Sequence, residues 1–244
     1  MILYTHKPTA GHQMKDLSIT QKYYLCAFNE KGNAPLFTQE DVMASLLTAG
    51  IIELEAQGLI AQDEKKCFAI AKPWDESLPH LEPLYSAIAS FKKPCKAREI
   101  LGHYYLQLTE KRLRALLESI GTSLVDAGCA NELLNQGLMN KVTKYAPTPE
   151  AWGEIINSIR EEVLGDQPIS DVTARLLFLM KCSGSLNKHF TKEERPTLKA
   201  RLKEISKSEA TTPAEEIVAN MGNLIFVIVM VAILAMIIAL TAIM

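Results

Sequence analysis

Two serines in this sequence stand one helical turn ahead of a lysine. Ser90-Phe91-Lys92-Lys93 and Ser185-Leu186-Asn187-Lys188 both read SxxK. At that spacing a Lys amine can take the proton of a Ser nucleophile in acyl transfer. A four-letter match arises easily by chance, and the companion motifs that complete such a site are absent. The five histidines, His6, His12, His80, His103 and His189, show no metal-ligand spacing with one another. His80 and Glu82 are close, a pairing more usual among surface polar residues than in a site. Gly50, Gly58 and Gly102 are isolated, so no glycine-rich phosphate loop exists. Cys26, Cys67, Cys95, Cys129 and Cys182 contain no CxxC pair, and an odd, scattered set fits reduced thiols better than a disulfide framework. Trp74 and Trp152 read as packing residues. These residue types point to no enzyme, no metal and no cofactor.

The remaining chemistry is positive charge. Lys111, Arg112 and Arg114 form one local cluster, and Lys92, Lys93, Lys96 and Arg98 form another. The plainer reading of each is a solvated helix face. The functional reading is contact with anionic headgroups, at about 1 kcal/mol per basic residue near a membrane surface. The whole chain gives no case for nucleic acid: 244 residues carry 26 Lys+Arg against 28 Asp+Glu, a net charge of −2.

A membrane is indicated by residues 224–244, LIFVIVMVAILAMIIALTAIM, which hold no charged residue. As a helix this run is about 31 Å long, against a hydrocarbon core of about 30 Å. Its Leu, Ile, Val and Phe side chains favour insertion by on the order of 5 kcal/mol. The expectation is a transmembrane tail anchor with the N-terminal domain in the cytosol, since the first residues lack a signal-peptide core. Ala232, Ala235, Ala239 and Ala242 make a small-residue stripe that could pair two such helices in a homodimer.

The rest of the chain must position the basic clusters against that membrane. Residues 1–14 are poor in apolar groups and expected to be disordered. A first helix is expected over 17–28, capped by Ser18 or Asp16, with a turn at 29–33. Thr38-Gln39-Glu40-Asp41 resembles a capping box and opens a helix apolar over most of its circumference. A hairpin follows, 59–62 and 67–71 around Asp63-Glu64-Lys65-Lys66, then a loop over 72–79. Helices are predicted over 80–91, interrupted early by Pro83, over 96–106, and over 110–127 with Thr109 as cap and Gly128 as stop. Residues 137–145 alternate loosely as a strand. Thr148-Pro149-Glu150 starts a helix that ends at Gly165. A buried helix counting Val172 among its apolar residues spans 171–182, and another spans 191–205. Thr212-Pro213-Ala214-Glu215 starts a juxtamembrane helix. The fold class is mainly α: a single helical domain over 15–205 with one or two small β-hairpins, a tether and juxtamembrane helix over 206–223, and a C-terminal transmembrane helix.

Three blocks in order resemble the Golgi phosphoprotein 3 family: LSITQKYYLCAFNEKG, GIIELEAQGLI and TARLLFLMKCSGSLNKHF. The resemblance implies a mostly helical single domain. It also implies peripheral binding of phosphatidylinositol 4-phosphate and contact with the cytosolic tails of membrane proteins. The family's pocket uses a Trp at the start of the second helix, an Arg inside that helix, and two Arg three residues apart on a later helix. Carried onto this sequence, the Trp position falls at Phe37 or Thr38, the first Arg at Leu47, and the pair at Arg114 and Leu117. Most of the pocket's anchors are therefore replaced, and this chain would be a divergent member. The candidate lipid-binding residues are Arg114, Arg112, Lys111 and Phe37. The expected function is a non-enzymatic, membrane-anchored module for phosphoinositide-like headgroups. The alternative is a protein-recruitment adaptor with no lipid pocket.

Overall fold

The structure, a computed structural model, describes residues 17–105, 111–136 and 142–205. Its first helix, α1 (Ile19–Ala27), is set by a capping box. The Ser18 hydroxyl accepts from the Gln21 amide at 3.2 Å, and the Gln21 side-chain oxygen accepts from the Ser18 amide at 2.9 Å. Two otherwise orphaned donors are satisfied at once. The chain then turns through Asn29, whose side chain accepts from the Lys31 and Asn33 amides. Gly32 takes φ +64°, and a Cβ there would lie 2.9 Å from the Tyr145 carbonyl oxygen, so the turn needs glycine.

Helix α2 (Gln39–Ala56) is buried without a break from Val42 to Leu54. A helix with no polar face belongs in the middle of a domain, and α2 packs against α1, α3, α7 and β1. The capping box expected at Thr38 does not form: its side chain makes no cap bond, and a 3-10 turn, Leu36–Thr38, leads into the helix instead. Each fully buried Leu of α2 contributes about 2 kcal/mol of apolar burial.

Strands β1 (Ile60–Gln62) and β2 (Cys67–Ile70) form the expected hairpin, with Ile60 opposite Ile70. Asp63 closes it by accepting from the Lys65 and Cys67 amides. A third strand, β3 (Cys95–Lys96), pairs with β2 through Phe68 and Cys95; two residues are too short to show a period. After a 3-10 turn at Pro79–Leu81 comes α3 (Glu82–Ala89). Pro83 sits in its first turn, where no amide is needed, so it starts the helix rather than interrupting it. Then come α4 (Ala97–Tyr105) and α5 (Lys111–Asp126); the proposed cap Thr109 lies outside the described residues. Gly128 (φ +70°) ends α5, its amide bonding the Val125 carbonyl and that of Cys129 the Leu124 carbonyl.

Strands β4 (Ala130–Gln136) and β5 (Val142–Pro147) make a second antiparallel pair, with Glu132 opposite Tyr145. The strand expected over 137–145 is corrected in two ways. It runs on to Pro147, and its partner β4 was missed because ANELLNQ carries neither alternation nor β-branched residues. Helix α6 (Pro149–Leu164) is capped by Thr148, and α7 (Asp171–Cys182) by Ser170. Val172 is exposed on α7, not buried. A 3-10 turn at Leu186–His189 leads to α8 (Arg195–Ile205), four residues shorter than expected at its start.

The described residues are thus mainly helical, with two small antiparallel sheets. Helices α1, α2, α6 and α7 make one side of the core, and α5 closes the other against α3 and the β4–β5 pair. Among the described residues no helix is long and apolar enough to cross a membrane. The disordered N-terminus, tether, anchor and alanine stripe expected at 1–14, 206–223 and 224–244 lie outside the described residues.

Candidate functional site

The last turn of α4 joins the two segments that carry the candidate residues. The Tyr105 hydroxyl donates to the Glu40 carbonyl at 2.9 Å, fixing the start of α2 and the 3-10 turn before it. Arg112 donates from Nη1 to the His103 carbonyl at 3.4 Å, fixing the start of α5. The 3-10 turn presents Leu36 and Phe37 at 78% and 96% exposure. The first turn of α5 presents Lys111 and Arg114, both exposed and three residues apart on one face, with Arg112 half-buried between them. Phe37 is thus linked to the cations through α4 rather than stacked on them.

Electrostatics at this corner are mixed, with the cations of α5 on one side of α4 and the carboxylates of Glu40 and Asp41 on the other. Burial, with the Arg112 guanidinium beside it, holds His103 below the ordinary imidazole range, so the ring is neutral at pH 7. Burial pushes the Tyr105 hydroxyl up, helped by Glu40 and Asp41. Burial and then Glu40 likewise raise the Asp41 carboxyl. Lys92, Lys93, Lys96 and Arg98 are exposed on the loop and helix start that lead into α4.

Two of the positions onto which the resemblance carries a pocket arginine, Leu47 and Leu117, are packing residues. Leu47 is 0% exposed, in the unbroken core of α2. A guanidinium there would be stripped of water with no partner, at a cost of several kcal/mol. Leu117 is half-buried against the core.

The SxxK serines have other employment. Ser185 is buried, with Oγ 3.3 Å from the Met180 carbonyl and 2.9 Å from Ser183 Oγ. Ser90 is exposed and donates to the Ala87 carbonyl at 2.6 Å. Both hydroxyls close helix ends.

The expectation for His80 is overturned. It is buried, and its Nε2 lies 2.9 Å from Ser18 Oγ and 3.7 Å from Glu53 Oε1. Glu53 Oε2 accepts from the Thr20 hydroxyl at 2.6 Å and the Thr20 amide at 3.2 Å. Burial pushes the Glu53 carboxyl up, but bonds from His80 and Thr20 outweigh it and hold the group below the ordinary carboxylate range. Ser, His and Glu here do not form a relay, because Ser18 and Glu53 face the same ring nitrogen and a relay needs the carboxylate on the other. Ser18 Oγ also serves as the α1 cap. The cluster clasps α1, α2 and the turn before α3. Sequence reasoning missed it, although Glu53, set between Ile52 and Leu54 in the apolar run of α2, was the available signal.

Among the described residues no group of three or more His, Cys, Asp or Glu could hold a metal ion. No curated protein matches the chain. The sequence profile of the Golgi phosphoprotein 3 (GPP34) family matches residues 19–223, spanning all the elements described above. The chain therefore belongs to the Golgi phosphoprotein 3 family.

Proposed function

We propose that this protein is a non-enzymatic module that docks on a membrane through anionic, phosphoinositide-like headgroups, with residues 224–244 as its transmembrane anchor. Family membership supports a Golgi-associated lipid- or protein-binding role. The observation that carries the reading further is the pairing at the end of α4. An exposed apolar tip, Leu36–Phe37, and an exposed cationic turn, Lys111–Arg112–Arg114, are held by hydrogen bonds to residues 105 and 103 of one helix. Cations hold headgroup phosphates by charge-assisted bonds, and an aromatic tip suits the acyl boundary. An anchor keeps the local concentration at the bilayer high, so this divergent member can use a weaker headgroup site than a peripheral protein needs.

The burial of Leu47 favours a second reading, an adaptor that recruits proteins at the membrane, for example through the tails of membrane proteins, or that pairs through its alanine stripe. Calorimetry separates the two. Short-chain phosphatidylinositol 4-phosphate is titrated into the full chain in mild detergent, with short-chain phosphatidylcholine as control. The lipid reading expects saturable binding of the phosphoinositide alone, weakened about tenfold or more when Lys111 and Arg112 are both changed to Ala. Absence of saturable binding leaves the adaptor.

A further inference from the structure

His103 is the meeting point of two basic segments, one leading into α4 and one opening α5. The Phe91 ring lies 5.0 Å from the His103 ring at 50°, and the His103 carbonyl accepts from Arg112. Lys92 and Lys93 follow Phe91 directly. Both are exposed, as are Lys96 and Arg98 at the start of α4. Lys96 stands opposite Cys67 in the sheet register, which places it beside the hairpin turn that carries Lys65 and Lys66. Carboxylates in the same region are engaged locally. Asp63 accepts two amides of its turn, and Glu99 accepts the Lys96 amide at 2.7 Å. Among the described residues no ion pair neutralises Lys92, Lys93, Lys96 or Arg98.

We propose that Lys92, Lys93, Lys96 and Arg98 form a second footing on an anionic bilayer. It is continuous through His103 with the first turn of α5. The protein then meets the membrane along a strip the length of α4, about 13 Å, and not at a single headgroup pocket. This rests on the membrane-docking reading above. A bilayer is the occupant that fits. Three of the four basic residues lie on the segment that leads into α4 and one on its first turn, none of them in an ion pair among the described residues, and the chain outside the described residues includes a 21-residue run with no charge. Such an array draws on many lipids at once, each basic residue adding to the attraction to an anionic leaflet.

The test is a lysine-reactivity footprint of the full chain, reconstituted in vesicles of phosphatidylcholine alone or mixed with phosphatidylserine. A membrane-impermeant acylating reagent is followed by mass spectrometry, with exposed Lys199 on α8 as the reference. The expected result is that Lys92 and Lys93 react about fivefold more slowly, relative to Lys199, in anionic vesicles than in neutral ones. Salt at 1 M, which shortens the screening length to about 3 Å, should remove the protection. Protection of Lys111 without Lys92 and Lys93 overturns the second footing and leaves docking at α5 intact. Equal protection in neutral and anionic vesicles overturns it as well, because the contact would not be driven by charge. No protection at any of the three overturns both readings. In a Lys92→Glu/Lys93→Glu chain, Lys111 protection should fall while the melting temperature holds. Unchanged Lys111 protection would show that the two segments do not act together.

Discussion

Thr20 donates its hydroxyl to the Glu53 carboxylate at 2.6 Å, tying α1 to α2 where Glu53 is only 8% exposed. His80 and Ser18 complete the clasp. The Glu53 carboxyl sits below its ordinary value of 4.5 in the folded protein. Its ionised form therefore stabilises the fold above about pH 4.5, and that contribution is lost as pH falls through the folded value. Glu53→Ala should cost about 3 kcal/mol, since it strands Thr20 and His80 in the core. Glu53→Gln should be less stable than the natural chain at pH 7, the gap closing below about pH 4.5. Thermal unfolding of the detergent-solubilised chain between pH 3 and 7 measures both. A gap independent of pH would mean that the ionised carboxylate is not the stabilising form.

His189 offers the opposite case, a buried imidazole that stays neutral. It is 7% exposed, and neither ring nitrogen has a partner in hydrogen-bond geometry. Burial and then the Lys188 ammonium push it down to about 4, with the Cys26 backbone working the other way. The unfolded chain binds this proton near pH 6.5, before the folded one does. Stability should fall as pH drops from 6.5 toward 4, by at most about 3 kcal/mol. His189→Phe keeps the ring volume beside Trp152 and removes the unpartnered nitrogens. It should be within about 1 kcal/mol of the natural chain at pH 7 and lack the loss between pH 6.5 and 4. If the loss persists in that variant, His189 is not its source.

These two clusters show what the sequence could and could not reveal. The helices were legible because each carries its own signals: Ser18 and Gln21 at the start of α1, Thr148 before Pro149 on α6, Gly128 after α5. The apolar run of α2 reported its own burial. The strand β4 was illegible because it is defined by its partner and not by its side chains. The His80–Glu53 contact was illegible because it joins residues of different elements through the tertiary fold. At the candidate site, charge and aromatic character were readable, but the link through Tyr105 and His103 was not, since Glu40 and His103 contribute backbone carbonyls.

Gly121 on α5 looks like a position where alanine would help, because glycine inside a helix costs about 1 kcal/mol. The structure reverses the sign. A Cβ there would stand 2.1 Å from Cγ of Tyr145, on a residue whose carbonyl also takes the Tyr24 hydroxyl at 2.9 Å. The ring cannot shift without loosening β5 from α5 and α1. Gly121→Ala should therefore destabilise by about 2 kcal/mol net. A double-mutant cycle with Tyr145→Ala checks the cause: in that background Gly121→Ala should be neutral or stabilising. Destabilisation by the same amount in both backgrounds would rule out the ring.

Phe37 separates a structural role from a lipid role. At 96% exposure its side chain packs against almost nothing, so Phe37→Glu should leave stability within about 0.5 kcal/mol. The lipid reading asks much more of it. A carboxylate beside a bound phosphate repels it, and the aromatic contact with the headgroup boundary is lost. Phe37→Glu should weaken binding of short-chain phosphatidylinositol 4-phosphate several-fold, about 1 kcal/mol, with an unchanged melting temperature. Phe37→Trp should bind at least as well as the natural chain. In vesicles of ring-quenching brominated lipid, its added fluorescence should be lost, while Trp74, in the loop after β2, and Trp152, on α6, keep theirs. Phe37→Glu binding as tightly as the natural chain would remove the 3-10 turn from the lipid contact. The headgroup would then depend on Lys111, Arg112 and Arg114 alone.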